Sequence, residues 1–231
     1  MNLVFASNNA HKLAEVREIM PAGVRVLSLR EIGFDAEIEE TGTTLEENSM
    51  IKARAVADFV KAKGFVLKAK GEGLEAKGYE TETPEIDGVF ADDTGLEIDA
   101  LGGKPGVYTA RWYSLEDENE RTKAKSELEI FAANRAKALR ELESKSERGA
   151  QFRTVITVMM MNSERLENVW QVEGVVRGHI AREEYGVGGF GYDPIFIPEG
   201  YDKTFGELPA EIKNSISHRA RALEALVKKI S

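Results

Sequence analysis

NLVFASNNAHKLAEVREIMPAGVRVLSL, the stretch from Asn2 to Leu29, decides the fold class. NLVFA, Asn2 to Ala6, is a short apolar run of the kind a buried strand makes. After SNNAHK, the segment LAEVREIM sets Leu13, Val16, Ile19 and Met20 at helical spacing, and Pro21 stops it. VRVLSL, Val24 to Leu29, is a second strand. Strand, helix and strand at this spacing predict a βαβ unit with parallel strands, hence an α/β protein.

Working outward, EETGTTLEEN offers two capping boxes, Thr43 with Glu46 and Thr44 with Glu47. They predict a helix from about Leu45 to Lys63, with Gly64 as its C-terminal stop. Residues 65–88, FVLKAKGEGLEAKGYETETPEIDG, are dominated by Gly, Lys and Glu and read as an exposed hairpin or insertion. GVFADD is a short apolar strand that closes on Asp92 and Asp93, with Thr94-Gly95 as a turn behind it. LGGKPGVYTARW reads as a tight irregular loop. Glu118 to Glu147 is a charged helical region carrying Leu128, Phe131, Leu139 and Leu142, with a break expected near Asn134. Phe152 to Met161 and Asn168 to Ala181 make an antiparallel hairpin turning at Asn162-Ser163. GVGGFGYDPIF is a Gly-rich loop. KNSISHRARALEALVKKI is one helix, capped by Ser215 or Ser217.

The 231 residues suit one domain with its own core, and 42% apolar with 31% charged content is that of an ordinary globular protein. No run of about 18 apolar residues proposes a membrane span. The N-terminus has no basic and apolar leader pattern, so a cytoplasmic protein is expected. There is no cysteine, and the three histidines, His11, His179 and His218, lack metal-ligand spacing. Thiolate chemistry and zinc are therefore disfavoured. A net charge of −9 argues against a nucleic-acid partner but permits a small anion held by converging lysines.

Four constellations carry chemistry. SNNAHK (Ser7, Asn8, Asn9, Ala10, His11, Lys12) joins a strand to a helix N-terminus, where backbone N–H groups and the helix dipole favour anions. Helix capping by Asn8 or Asn9 accounts for the same residues. The acidic pairs Glu39-Glu40 and Asp92-Asp93 offer hard oxygen ligands of the kind Mg²⁺ uses, and a carboxylate that can take a proton from water. Glu39-Glu40 alone is a solvated turn. Asp92-Asp93 at the end of an apolar strand is not, because one of two successive strand residues must face inward. In FGYDP, Phe190 and Tyr192 can grip a planar base across Gly191, and Asp193 can accept its N–H groups. A structural turn is the competing account. Lys213, His218 and Arg219 set basic groups near a helix start, against the dipole, which a bound anion would rationalise. Lys52, twelve residues beyond Glu40, reads by itself as a solvated helix lysine.

Taken in order, ASNNAHK, EETGTTLEENSMIKA, FADDTGLEIDALGGKPGVYTARW, FGYDPIF and SHRARAL resemble one family. It is the inosine triphosphate pyrophosphatase, or Ham1-like, family of noncanonical purine NTP pyrophosphatases. The first motif matches the family's [ST]-x-N-x-x-K, and the likeness covers most of the chain. The resemblance implies an elongated mixed β-sheet flanked by helices, in two lobes with a central cleft, as one domain spanning 1–231. It implies a homodimer that hydrolyses ITP, dITP and XTP to monophosphate and pyrophosphate with Mg²⁺, Mn²⁺ being an alternative, and so clears deaminated purines. By position, Ser7 to Lys12 correspond to the triphosphate loop. Glu40 and Asp93 correspond to the metal ligands, with Asp93 also activating water and Asp92 beside it. Lys52 and Thr94 correspond to substrate contacts, Phe190 to Asp193 to the base loop, and Lys213, His218 and Arg219 to the remaining nucleotide contacts. Two departures stand out, the long segment 65–88 and the extended charged region 118–147; Thr94 where many relatives carry Ser is mild, since Thr keeps the hydroxyl. The competing readings are a Maf-like pyrophosphatase acting on other modified nucleotides and a nucleotide-binding regulator without turnover.

Overall fold

Residues 1–65, 85–115, 126–161 and 166–230 are described here from a computed structural model. The chain forms two compact units. One comprises Met1–Asp93, Val155–Val172 and Ala225–Ser231, the other Thr94–Thr154 and Glu173–Glu224. No helix among the described residues is long and apolar enough to cross a membrane.

The predicted βαβ unit is present. β1 (Asn2–Phe5) and β2 (Arg25–Leu27) are parallel, with Leu3 opposite Val26, and α1 (Ala10–Ile19) connects them. Met20 ends α1 in extended backbone just before Pro21. α2 (Leu45–Ala62) opens with one of the two predicted boxes. Thr44 Oγ1 accepts the Glu47 N–H at 3.1 Å, while Glu47 Oε2 accepts the N–H groups of Thr43 and Thr44. Gly64 follows at φ +65, the left-handed stop expected of it.

β3 (Gly88–Ile98) corrects the sequence reading. It runs eleven residues, straight through Thr94-Gly95, so no turn follows the aspartates. Composition misled here. Gly95 is a glycine because the Gly106 backbone crosses it closely, and a Cβ would sit 3.0 Å from the Gly106 carbonyl oxygen. That neighbour belongs to β4 (Lys104–Gly106), a short strand antiparallel to β3 inside the supposed irregular loop.

β3 pairs in parallel with β1, and the sheet order is β2-β1-β3-β5-β6-β7 with β4 on β3. β5 is Gly149–Met161, β6 Leu166–Ile180 and β7 Phe196–Pro198, the last antiparallel to β6. The expected α/β class with a mixed sheet is what the chain adopts. The hairpin turn at Asn162-Ser163 and most of segment 65–88 lie outside the described residues.

In the first unit, alternation along the strands divides the core. Val4, Ala6, Leu27, Val89 and Ala91 pack with Ala53, Val56, Ala57 and Val60 of α2. Phe5 and Phe90, of opposite parity, stack on each other at 4.9 Å. In the second unit, Leu96, Ile98, Phe152, Val176, Ile180, Tyr192 and Phe196 form a separate core with Ala138 and Leu142.

The latter two residues belong to α3 (Glu127–Glu141) and its cap, and α3 is unbroken at Asn134. Asn134 instead faces inward. Its Oδ1 accepts the Tyr113 N–H at 2.8 Å and its Nδ2 donates to the Ala110 carbonyl at 3.0 Å. Polarity that looked like a break is a brace for the segment before it. Leu128, expected on the apolar face, is exposed. The C-terminal segment is two helices, α4 (Ala210–Ile216) and α5 (His218–Ile230). Ser217 separates them in extended backbone and caps α5 by accepting the Ala220 N–H.

Candidate functional site

The aspartates of β3 answer to two helices. Both are buried, Asp92 at 1% and Asp93 at 7% exposure, where one alone was expected to be. Adjacent strand residues point to opposite faces. Asp92 therefore shares the side of Phe90 and meets Lys12 of α1, Nζ to Oδ1 3.0 Å. Asp93 shares the side of Ala91 and meets Lys52 of α2, Nζ to Oδ1 2.9 Å. Each buried charge is matched from the helix that covers its own face, as the cost of an unpaired buried carboxylate requires.

Lys52 does more than pair once. Its Nζ also lies 2.8 Å from Glu40 Oε1, so carboxylates distant in sequence converge on one ammonium. The lysine is 8% exposed, which overturns its reading as a solvated helix residue. Glu39 is exposed, as a turn residue should be. Burial alone would lower the Lys52 pKa. Asp93, Glu40 and Asp92 outweigh burial and hold it above the ordinary lysine value. Asp93 moves up from the usual carboxylate range because burial penalises its charge more than Lys52 and Lys12 relieve it. Its proton affinity is thereby enhanced.

At the start of α1, Asn9 is the N-cap. Its Oδ1 accepts the Lys12 N–H at 2.9 Å, and Ser7 Oγ accepts the Asn9 N–H at 3.3 Å. Asn8, Ala10 and His11 are exposed around this turn. Capping and an anion site at the same turn are compatible, since the cap engages only one of the N–H groups there.

Asn48, which sequence reading passed over, is wholly buried on α2 one turn before Lys52. Its Oδ1 accepts the Gly42 N–H at 2.8 Å and its Nδ2 points to Asp93 Oδ2 at 3.4 Å. The signal was available: an amide inside a helix, four residues before a lysine, is a poor helix former unless its side chain has a partner.

In the second unit, Thr94 shares a 2.8 Å hydrogen bond with Thr154, hydroxyl to hydroxyl. The loop Phe190–Asp193 closes on Asp193, whose Oδ2 accepts the Phe190 N–H at 2.7 Å and pairs with Lys213 Nζ at 2.8 Å. Gly189, immediately before this loop, has φ +70, and any Cβ there would run into the Asp193 carboxylate, so only glycine fits. Lys213 lies inside α4, not at the start of the last helix. Its ammonium stands 4.7 Å from the Phe190 ring centre, and the guanidinium of buried Arg219 stands 5.7 Å from the same ring. Two cations thus back one aromatic ring.

Tyr192 does not share the role expected of it. Its ring is core, its hydroxyl donates to the Thr109 carbonyl at 3.0 Å, and burial drives its pKa up. Phe190 is the half-buried ring of the loop. His218 stacks on Phe152 at 4.7 Å, near-parallel. Its helix can sit this close to β6 because Gly174 lacks a Cβ, which would strike the His218 carbonyl and the Ala222 N–H. Arg135 of α3, also missed, donates Nη1 to the Gly191 carbonyl at 2.9 Å and pairs with Glu184 at 3.0 Å. The charged helix α3 thus reaches the loop through one of its arginines.

A mixed-sheet α/β protein with a carboxylate–lysine cluster where β3 meets α1 and α2, and a cation-backed aromatic loop in its second unit, is the class these features define. The model of the Ham1 family matches residues 3–229, and the chain belongs to that family. It is 41% identical to a dITP/XTP pyrophosphatase of Flavobacterium johnsoniae, over 98% of this chain and 96% of that protein. A Bacillus subtilis protein of the same name is 42% identical over 97% and 94%. The solved structure of the Staphylococcus aureus Ham1 protein superposes with a TM-score of 0.73 at 34% identity, covering 100% of this chain and 98% of that one.

Proposed function

We propose that the protein hydrolyses noncanonical purine nucleoside triphosphates, dITP, XTP and ITP, to monophosphate and pyrophosphate with a divalent cation, Mg²⁺ or alternatively Mn²⁺. The observation that carries this is the convergence of Glu40 and Asp93 oxygens, 2.8 and 2.9 Å from a single cationic atom of Lys52. Three carboxylates, Glu40, Asp92 and Asp93, face two ammoniums, Lys12 and Lys52, which leaves one formal negative charge in excess. Among the described residues no group of three or more His, Asp or Glu side chains is arranged to hold a metal. An oxygen-only pair is nevertheless what Mg²⁺ takes when substrate phosphates and water complete its shell. The donor set therefore fits, with Glu40 and Asp93 as ligands. The cation would supply charge neutralisation for the phosphates.

In this reading Asp93 takes the proton of the water that attacks the α-phosphorus. Lys12 and Lys52 offset charge on the pyrophosphate as it leaves, Asp92 holds Lys12 in place, and the α1 N-terminus at Ser7–Lys12 receives phosphate oxygens. Such catalysis is positioning plus electrostatic stabilisation. In the second unit, Phe190 stacks on the purine, supported by Lys213 and Arg219. A donor from His218 or Arg219 meets the 6-oxo group, and a 6-amino base would leave that donor unpaired at a cost of about 1–3 kcal/mol. The names of the relatives support the substrate class. The same reading makes the protein a cytoplasmic homodimer, which sedimentation would verify by a mass twice that of the chain.

The decisive assay is pyrophosphate release from ITP, XTP, dITP, GTP and ATP, with Mg²⁺ and with EDTA. Fast metal-dependent release from the first three alone is expected. Orthophosphate release would place attack at the γ-phosphorus and refute the mechanism. Tight ITP binding without turnover would make the protein a regulator instead, and preference for other modified bases would favour a Maf-like activity.

A further inference from the structure

We propose that Asn48 is a positioning residue for this reaction, one that fixes the plane of the Asp93 carboxylate and the path of the segment bearing Glu40. The proposal rests on the reading of Asp93 and Glu40 given above. Asn48 is fully buried, and each end of its amide is committed. Its Oδ1 accepts the Gly42 N–H at 2.8 Å, so the amide cannot be turned over without setting donor against donor there and acceptor against carboxylate at the other end. Its Nδ2 must then face Asp93 Oδ2, 3.4 Å away.

The consequence is that Asp93 is gripped at both oxygens, Oδ1 by Lys52 and Oδ2 by Asn48. A carboxylate held by one ion pair can rotate about its Cβ–Cγ bond, and a carboxylate held at both oxygens cannot. At its other end Asn48 seats Gly42, two residues after Glu40. The seat is tight: a Cβ on Gly42 would lie 2.6 Å from both Asn48 Oδ1 and Glu47 Cβ. Glu47 fixes Thr43 and Thr44 next along, through its Oε2. One side chain thus sets the separation of the two carboxylates that converge on Lys52. Groups that orient a ligand are typically worth about 10–100-fold in metal affinity or activity.

The test uses Asn48→Ala, with Asn48→Ser as a milder second variant whose hydroxyl can serve the Gly42 N–H through water but cannot reach Asp93. Asp93→Asn is the control for the underlying reading. Mn²⁺ affinity without nucleotide is read by electron paramagnetic resonance, and kcat and KM for ITP at a temperature where circular dichroism shows each variant folded. The expected result for both Asn48 variants is a kcat and a Mn²⁺ affinity each lower by about 10–100-fold, with KM for ITP within about threefold of wild type. A folded variant with wild-type kcat and Mn²⁺ affinity and only a lower melting temperature would overturn the proposal, leaving Asn48 a structural residue. In that case an inactive Asp93→Asn leaves the underlying reading standing, whereas an active one removes both.

Discussion

Asp93 carries the sharpest consequences at the scale of single residues. Exchanging it for Asn removes the proton acceptor but keeps the volume and the hydrogen-bonding reach, so the fold should persist. Turnover of ITP should fall by about 10²–10⁴-fold, the usual worth of a general base. Pyrophosphate release beside a far-ultraviolet spectrum checks both halves of that expectation. The same residue predicts a pH effect. Its pKa is raised on folding, so the folded state binds the proton more tightly than the unfolded state and stability falls as pH climbs from the ordinary carboxylate range through the raised value. Asp93→Asn lacks that proton. Its stability relative to wild type should therefore increase across that window, measured by urea unfolding at a series of pH values, and a flat difference would contradict the burial argument.

Among secondary-structure elements, α2 and α3 show how polar side chains inside helices shape their neighbours. Gly42→Ala would push a methyl into Asn48 and Glu47 at the start of α2. We expect a loss of about 1–3 kcal/mol from such overpacking, read from urea midpoints. Asn134→Ala on α3 strands the Tyr113 N–H and the Ala110 carbonyl and should cost a similar amount, about 1–3 kcal/mol, without touching metal affinity. Asn134 also marks where sequence reading reached its limit. The βαβ start, the α2 capping box and the Gly64 stop were legible because each is set by neighbours within a few residues. Thr94-Gly95 looked like a turn and Asn134 like a break because their reasons lie far along the chain, in the Gly106 backbone and in the Ala110–Tyr113 segment. Lys52 and Tyr192 were misplaced for the same cause. Whether a lysine is solvated or a tyrosine is core depends on what packs over it, and spacing alone does not report that.

For the whole molecule, composition and family likeness agree. A net charge of −9 leaves little reason for duplex DNA to bind, so none should be retarded in a gel at about 50 mM salt, where even weak phosphate contacts are strong. Appreciable binding there would point to a partner outside the proposed chemistry. The α/β class followed from the first thirty residues, and the order of the later strands did not, because their pairings join segments far apart in sequence, as β3 with β1.

The neighbouring aspartates of β3 also bear on how this sequence can change over time. Because Asp92 answers to α1 and Asp93 to α2, their assignment depends on parity. Inserting or deleting one residue between Gly88 and Asp92 would exchange the partners, presenting Asp92 to Lys52 and turning Asp93 away from it. Point substitutions in this strand can be repaired one at a time, but a single-residue indel cannot. Lineages descended from this protein should vary freely in length in the connections and keep the count from Gly88 to Asp93 fixed.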